Sequence, residues 1–230
     1  MNLSAPERPA FLPRGGQRAT RARTLVKVCG LTNLDDARAA FEAGADWLGF
    51  VYHAPSPRHV DPARAAEIIA ALPGVTAVAV MVAASPEDAL SIARRMGASR
   101  VQVHRAPASW PADFAMPSAI VVPVDAGGTL GAPLPEARHL LMLDTAHAEL
   151  AGGTGEPFPW DAAQRIARTR EVLLAGGLGP GNVGEAIAHV QPFGVDASSS
   201  LERAPGIKDH ELVRRFIEAV RAADRIRGAA

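Results

Sequence analysis

The chain has 230 residues, of which 48% are hydrophobic and 21% charged, and its 24 basic and 24 acidic side chains cancel to a formal net charge of zero. That composition supports a large core in one big domain or two small ones, and it supplies no overall field to gather a polyanion, so nucleic acid is not an expected partner. One cysteine cannot close an internal disulfide, no histidine and cysteine grouping has metal spacing, and no apolar run nears the roughly 20 residues of a membrane span; the expectation is a soluble protein of the reducing cytoplasm, without metal or membrane.

Residues 1–23 hold Pro6, Pro9, Pro13, Gly15, Gly16 and five arginines without the apolar centre of a secretion signal, and read as a flexible leader. From Leu25 onward short β-rich runs alternate with alanine-rich stretches of helical period, the pattern of a parallel sheet wrapped by helices. Strands are expected over 25–29, 47–52, 75–82, 100–103, 119–124, 139–143, 172–175 and 194–196. Helices are expected over 33–43, 62–72, 86–96, 161–169, 181–190 and 209–223, with weak signals after the fourth and fifth strands. Ser85 before Pro86, and Asp61 before Pro62, offer a side-chain cap followed by a proline suited to the first helical turn. Gly44 and Gly97 mark helix ends. Eight such units predict a closed (β/α)8 barrel over residues 24–227, with its site at the carboxyl ends of the strands. A doubly wound open sheet is the competing architecture.

In a barrel, the residues at the strand exits form one ring although they are far apart in the chain. Cys29 ends the apolar run that begins at Leu25. A lone cysteine is commonly a small buried hydrophobe, and this one gains chemical meaning only from a matching acid and a place to hold a ligand. Asp144 ends Leu140-Leu141-Met142-Leu143-Asp144-Thr145, where four apolar residues deliver a carboxyl to the pocket; it reads equally as an acid with a raised pKa or as a turn cap. The run Ala175-Gly176-Gly177-Leu178-Gly179-Pro180-Gly181-Asn182 passes from strand to helix start through paired glycines, which let backbone amides approach an anion. Asp196-Ala197-Ser198-Ser199-Ser200 follows the eighth strand, and these two positions are where such barrels bind phosphate. Arg58, on the proline-stiffened Pro55-Ser56-Pro57-Arg58, presents a guanidinium suited to a carboxylate or phosphate, or to solvent. Gly152-Gly153-Thr154-Gly155 reads as a closing lid or a passive loop. His53, His104 and His147 are assigned structural roles.

Taken together, Lys27-Val28-Cys29-Gly30-Leu31-Thr32, Glu42-Ala43-Gly44-Ala45-Asp46, Ser56-Pro57-Arg58, Leu143-Asp144-Thr145, Gly152-Gly153-Thr154-Gly155, Ala175-Gly176-Gly177-Leu178 and Gly206-Ile207-Lys208-Asp209 resemble the phosphoribosylanthranilate isomerase family, in order and spacing, over residues 25–222. The resemblance implies a single (β/α)8 TIM barrel of ribulose-phosphate-binding type. It implies an Amadori rearrangement of N-(5-phosphoribosyl)anthranilate in tryptophan biosynthesis, without a cofactor, by a monomer or homodimer acting on a small phosphorylated substrate. It assigns Asp144 as the acid that opens the furanose ring, Cys29 as the base that removes the C2′ proton, Arg58 as partner of the anthranilate carboxylate, and amides around Gly176, Gly177, Ser199 and Ser200 as the phosphate cradle.

The chain also departs from the family pattern. The family's VGVFVN reads Val78-Ala79-Val80-Met81-Val82-Ala83, so a changed pocket wall is expected. VQLHG reads Val101-Gln102-Val103-His104-Arg105, with a large cation at the glycine position. DVSSGVE reads Asp196-Ala197-Ser198-Ser199-Ser200-Leu201-Glu202, with Ser200 where a glycine is expected to need positive φ. FDW reads Phe158-Pro159-Trp160, with Asp161 expected as a displaced helix cap. Two other functions stay open on these residues: a barrel acting on another sugar phosphate, with Arg58 and Arg105 as discriminators, and a non-catalytic phosphometabolite-binding barrel.

Overall fold

The structure, a computed structural model, describes residues 23–108, 110–146 and 158–229. The leader before Arg23, His147 and the run 152–155 lie outside the described residues. Eight strands follow one another around a closed barrel: β1 (Leu25–Val28), β2 (Trp47–Tyr52), β3 (Thr76–Val82), β4 (Arg100–His104), β5 (Ser118–Val124), β6 (Leu140–Thr145), β7 (Val172–Leu174) and β8 (Gly194–Ala197). Each pairs in parallel with its neighbours, and β8 returns to β1 with Lys27 opposite Asp196, which excludes the open sheet.

Side chains alternate across each strand, so the barrel separates two apolar layers. Leu25, Trp47, Val78, Val80, Val121, Leu140, Met142 and Leu173 fill the interior. Val26, Val28, Leu48, Phe50, Ala79, Met81, Val101 and Leu143 face the helices. Met81 therefore packs under the helical layer and does not wall the pocket, a correction to the expectation from its family position.

The helices are α1 (Leu34–Glu42), α2 (Pro62–Ala70), α3 (Pro86–Met96), α4 (Trp160–Ala167), α5 (Val183–Val190) and α6 (His210–Ala229). Asp61 caps the Ala63 amide at 2.8 Å and Ser85 caps the Asp88 amide at 3.1 Å, and Gly97 ends α3 at φ 70°. Among the described residues no α-helix follows β4 or β5. The chain there carries Pro107, Pro111 and Pro117, then Gly127, Gly128, Gly131, Pro133 and Pro135, which remove the amides and the backbone stiffness a helix needs. Two ends differ from expectation. Asp161 does not cap α4, whose start at Pro159 has no side-chain cap; its carboxylate instead meets His189 Nε2 at 2.7 Å. Helix α6 runs past residue 223 because Asp224 bonds the Thr24 amide (3.0 Å) and hydroxyl (2.6 Å) and pairs with Arg221 and Arg227, fastening the helix end to the start of β1.

The β8 exit continues into a 3₁₀ turn (Ser199–Leu201) and a small antiparallel hairpin of β9 (Glu202–Ala204) and β10 (Ile207–Lys208). Asp36 of α1 holds that hairpin, accepting the Lys208 amide at 2.8 Å and His210 Nε2 at 2.8 Å.

Candidate active site at the barrel mouth

Cys29 directly follows β1. Its amide bonds Ala197 O at 2.9 Å, and the next two amides, Gly30 and Leu31, both bond Gly49 O at 3.0 Å, so β8 and β2 fix the thiol from either side. Gly30 has φ 77°, and a Cβ there would stand 2.6 Å from Arg58 Cδ. Only glycine lets the chain turn in this way while the Arg58 stem lies across it. Arg58 thus lies against Gly30 in the ring of strand-exit residues, and its guanidinium is bound within the protein. Nε and Nη2 each donate to Glu202 at 2.8 Å, and Lys208 Nζ donates to the same carboxylate at 2.8 Å and to Ser198 O at 3.1 Å. Ser198 Oγ in turn donates to Cys29 O at 3.1 Å. Burial would push the Glu202 carboxyl up, but its bonds to Arg58 and Lys208 bring it below the usual value.

Beneath the thiol lies Lys27, wholly buried, whose Nζ meets Asp196 Oδ1 at 2.7 Å and whose charge acts on the Cys29 sulfur. Burial pushes the Cys29 thiol up, while the Lys27 charge opposes that rise. Asp144 is the fifth residue of β6, not the residue after it, and two-residue alternation with Leu140 and Met142 turns it inward. Burial raises its carboxyl to about 7 and the negative Asp196 adds to the rise, with the Thr145 amide and Lys27 opposing. Cys29 and Asp144 therefore face one interior charge pair from two sides of one mouth. A carboxyl near 7 can be protonated at working pH and give its proton away.

The two loops expected to cradle an anion are in contact. Gly176 and Gly177 have φ 86° and 66°, and a Cβ on Gly176 would lie 2.6 Å from the Thr145 amide. Asn182 braces the turn, accepting from the Gly179 amide at 2.8 Å and donating to Gly177 O at 2.9 Å. Ser199 and Ser200 open the 3₁₀ turn, and the Ser200 hydroxyl donates to Leu178 O, joining the loops after β7 and β8. Ser200 is not among the residues with positive φ, so the serine fits without the strain expected of it.

Positive φ falls elsewhere. Ala83 and Arg105 each sit at φ 51°, at the ends of β3 and β4, joined by an Ala83 amide bond to His104 O of 2.8 Å. The glycine expected at 105 thus answers a backbone requirement, and Arg105 points to solvent. Gln102 Nε2 donates to His104 Nε2 at 3.0 Å. Burial and the neighbouring charges of Lys27, Arg105 and His53 hold it down to about 4, so it is neutral. The His53 amide meets His59 Nδ1 at 3.1 Å. Among the described residues no group of three or more His, Cys, Asp or Glu is arranged to hold a metal ion, and no helix is long and apolar enough to cross a membrane.

Sequence reasoning gave no role to Lys27, Asp196, Glu202 or Lys208. The signal for the first two is a charged residue inside an otherwise apolar strand, Lys27 in Leu25-Val26-Lys27-Val28 and Asp196 in Gly194-Val195-Asp196-Ala197, each at a position that a barrel buries.

Fold and site define a (β/α)8 barrel whose chemical groups sit at the C-terminal ends of β1, β6, β7 and β8, the arrangement of the barrel enzymes. Residues 26–219 match the family model for N-(5′-phosphoribosyl)anthranilate (PRA) isomerase. The N-(5′-phosphoribosyl)anthranilate isomerase of Rubrobacter xylanophilus is 43% identical over 204 residues, which span 86% of this chain and 98% of that one. The crystal structure of the phosphoribosyl anthranilate isomerase of Thermotoga maritima superposes with a TM-score of 0.75 at 34% identity, covering 86% of this chain and 99% of that one. A phosphoribosyl anthranilate isomerase in complex with reduced 1-(o-carboxyphenylamino)-1-deoxyribulose 5-phosphate superposes with a TM-score of 0.71 at 32% identity, with the same coverage. The chain belongs to the N-(5′-phosphoribosyl)anthranilate isomerase family.

Proposed function

We propose that this barrel isomerises N-(5-phosphoribosyl)anthranilate in tryptophan biosynthesis by general acid and base catalysis, with Asp144 as acid and Cys29 as base. The observation that carries the reading is a protonatable carboxyl and a thiol facing the same buried Lys27–Asp196 pair in one mouth. Asp144 protonates the furanose ring oxygen, the ring C–O bond breaks, and a Schiff base forms at C1′. The Cys29 thiolate takes the C2′ proton, and the electrons of that C–H bond shift to give the enolamine. The enolamine gains a proton at C1′ and loses one from the 2′ hydroxyl, giving the ketone 1-(2-carboxyphenylamino)-1-deoxyribulose 5-phosphate. Thiol and carboxylate then recover their starting forms by transfer of one proton, so the isomerisation is neutral overall.

Arg58 binds the anthranilate carboxylate in this reading. Glu202 takes two of the five guanidinium N–H groups, which leaves three for substrate. The backbone of Gly176, Gly177, Ser199 and Ser200 holds the phosphate, and that remote binding aligns C2′ with the sulfur. The Ser200 hydroxyl is committed to Leu178 O, so its amide makes the contact.

The test mixes purified protein with freshly generated phosphoribosylanthranilate and follows the decay of its fluorescence, beside Cys29→Ser and Asp144→Asn. Loss of turnover in both variants supports the assignment, and wild-type turnover in either removes that residue's role. We further assign residues 24–227 to the isomerase domain, the protein to the cytoplasm, and its assembly to monomer or homodimer, which sedimentation of the full chain distinguishes.

A further inference from the structure

The mechanism above uses the thiol and the carboxyl but not the ion pair between them. Lys27 stands two residues before Cys29, on the same inward face of β1, and directly opposite Asp196 on β8. Its side chain is 0% exposed, and its ammonium donates to Asp196 Oδ1 at 2.7 Å while its charge acts on the neighbouring Cys29 sulfur. Across from them β2 presents Gly49. A Cβ at Gly49 would lie 2.8 Å from Cys29 Sγ and 3.1 Å from Lys27 Nζ, so sulfur and ammonium rest against the same bare stretch of backbone.

A buried ion pair is a poor stabiliser, because desolvating two charges offsets most of their attraction and apolar residues of equal volume serve as well. A lysine at this place is therefore better accounted for by the sulfur it stands beside. We propose that Lys27, fixed by Asp196, is a positioning residue for the isomerisation, its ammonium holding the Cys29 sulfur and neutralising the thiolate that removes the C2′ proton. The inference rests on the reading of Cys29 as the base.

The other charges near the site take smaller parts, Lys208 adding a weaker pull on the thiolate of the same sign as that of Lys27. Lys208 of β10 is committed to Glu202, which also holds Arg58. His104 of β4 is neutral. Asp144 of β6 is the acid, and Asp196 of β8 repels a thiolate directly while its bond to Lys27 keeps the ammonium charged despite burial.

With one cysteine in the chain, the ultraviolet difference absorbance of the thiolate, taken against Cys29→Ser, titrates this sulfur alone. The proteins compared are wild type, Lys27→Arg, Lys27→Met and the double variant Lys27→Met/Asp196→Asn, which removes the pair without stranding a charge and covers a failure of the single variant to fold. Expected is an upward move of the thiol midpoint by about one pH unit in the variants lacking the cation, hence about tenfold less thiolate at neutral pH. kcat/KM should fall by a matching factor, through kcat more than KM, with Lys27→Arg partly restored. A double variant that titrates and turns over as wild type overturns the inference. So does a loss of turnover with an unmoved titration, which marks a purely structural role. Wild-type turnover in Cys29→Ser instead overturns the base assignment, whatever the titration shows.

Discussion

The two sides of the barrel mouth use the same strand geometry to different ends. The arc of β8, β1 and β2 with β6 and β7 carries the thiol, the carboxyl, the glycine turns and the Lys27–Asp196 pair, and hydrogen bonds hold the pair, the Cys29 backbone and the Gly177 turn. The arc of β3 to β5 lines the interior with Val78, Val80, Ala119 and Val121, lacks helices after β4 and β5 among the described residues, and holds Ala83 and Arg105 in the left-handed region. The proposed chemistry sits where backbone and charge are most constrained. Strain of the kind a non-glycine pays at φ 51° is tolerated where side chains only pack or face water. The departures at Met81, Ala83 and Arg105 fall on that second arc, while Ser200 on the first is absorbed by its bond to Leu178.

The largest expected effects test the first arc. Cys29→Ser and Asp144→Asn should each lower kcat/KM by about 10²–10⁴, the usual yield of a positioned acid or base, in the fluorescence assay. A far smaller loss would move the chemistry off this arc. Next comes Gly49→Ala, which drives a methyl group between the sulfur and the ammonium. Overpacking of this kind costs about 1–3 kcal/mol, and kcat should fall with it while circular dichroism keeps the wild-type fold. Retained kcat would show that the sulfur and Lys27 need not touch.

The pH profile sharpens the same point. The proposed mechanism needs a protonated Asp144 with an anionic Cys29, although burial raises Asp144 to about 7 and places the thiol above its ordinary value. The active form is then the minor arrangement of the species that has lost one proton. kcat/KM should rise with pH through about 7, as the first proton leaves, and fall again above the ordinary thiol range, as the second does. A profile that falls through 7 would reverse the order of the two groups.

The smallest effect belongs to the second arc. Arg105→Gly should raise stability by about 0.5–1 kcal/mol in denaturant unfolding, since relief of the left-handed strain exceeds the entropy a glycine loses on folding, and turnover should not change. A drop in kcat/KM would bring Arg105, and with it β4, into substrate binding.

Much of this was written locally. Strand and helix order, the caps at Asp61 and Ser85, the end at Gly97 and the exits at Cys29 and Asp144 depend on residues within a few positions of one another, so periodicity and capping chemistry reveal them. The missing fourth and fifth helices were legible too, as weak patterns crowded with Pro107, Pro111, Gly127 and Gly128. Ser200 and Arg105 were not, because both were glycine positions by family pattern and only the backbone shows that 105 needs positive φ while 200 does not.

By itself, then, the sequence determined an eight-unit α/β chain with a thiol, an acid and glycine turns at strand ends, since local pattern sets each element. Only the tertiary structure decided the pairings that arm those groups. Closing β8 onto β1 puts Lys27 against Asp196, and folding the last hairpin back on α1 brings Glu202 and Lys208 to Arg58. Those partners lie 169 and 144 residues apart in the chain for Lys27–Asp196 and Arg58–Glu202, and a charge finds its counter-charge through space, not along the backbone.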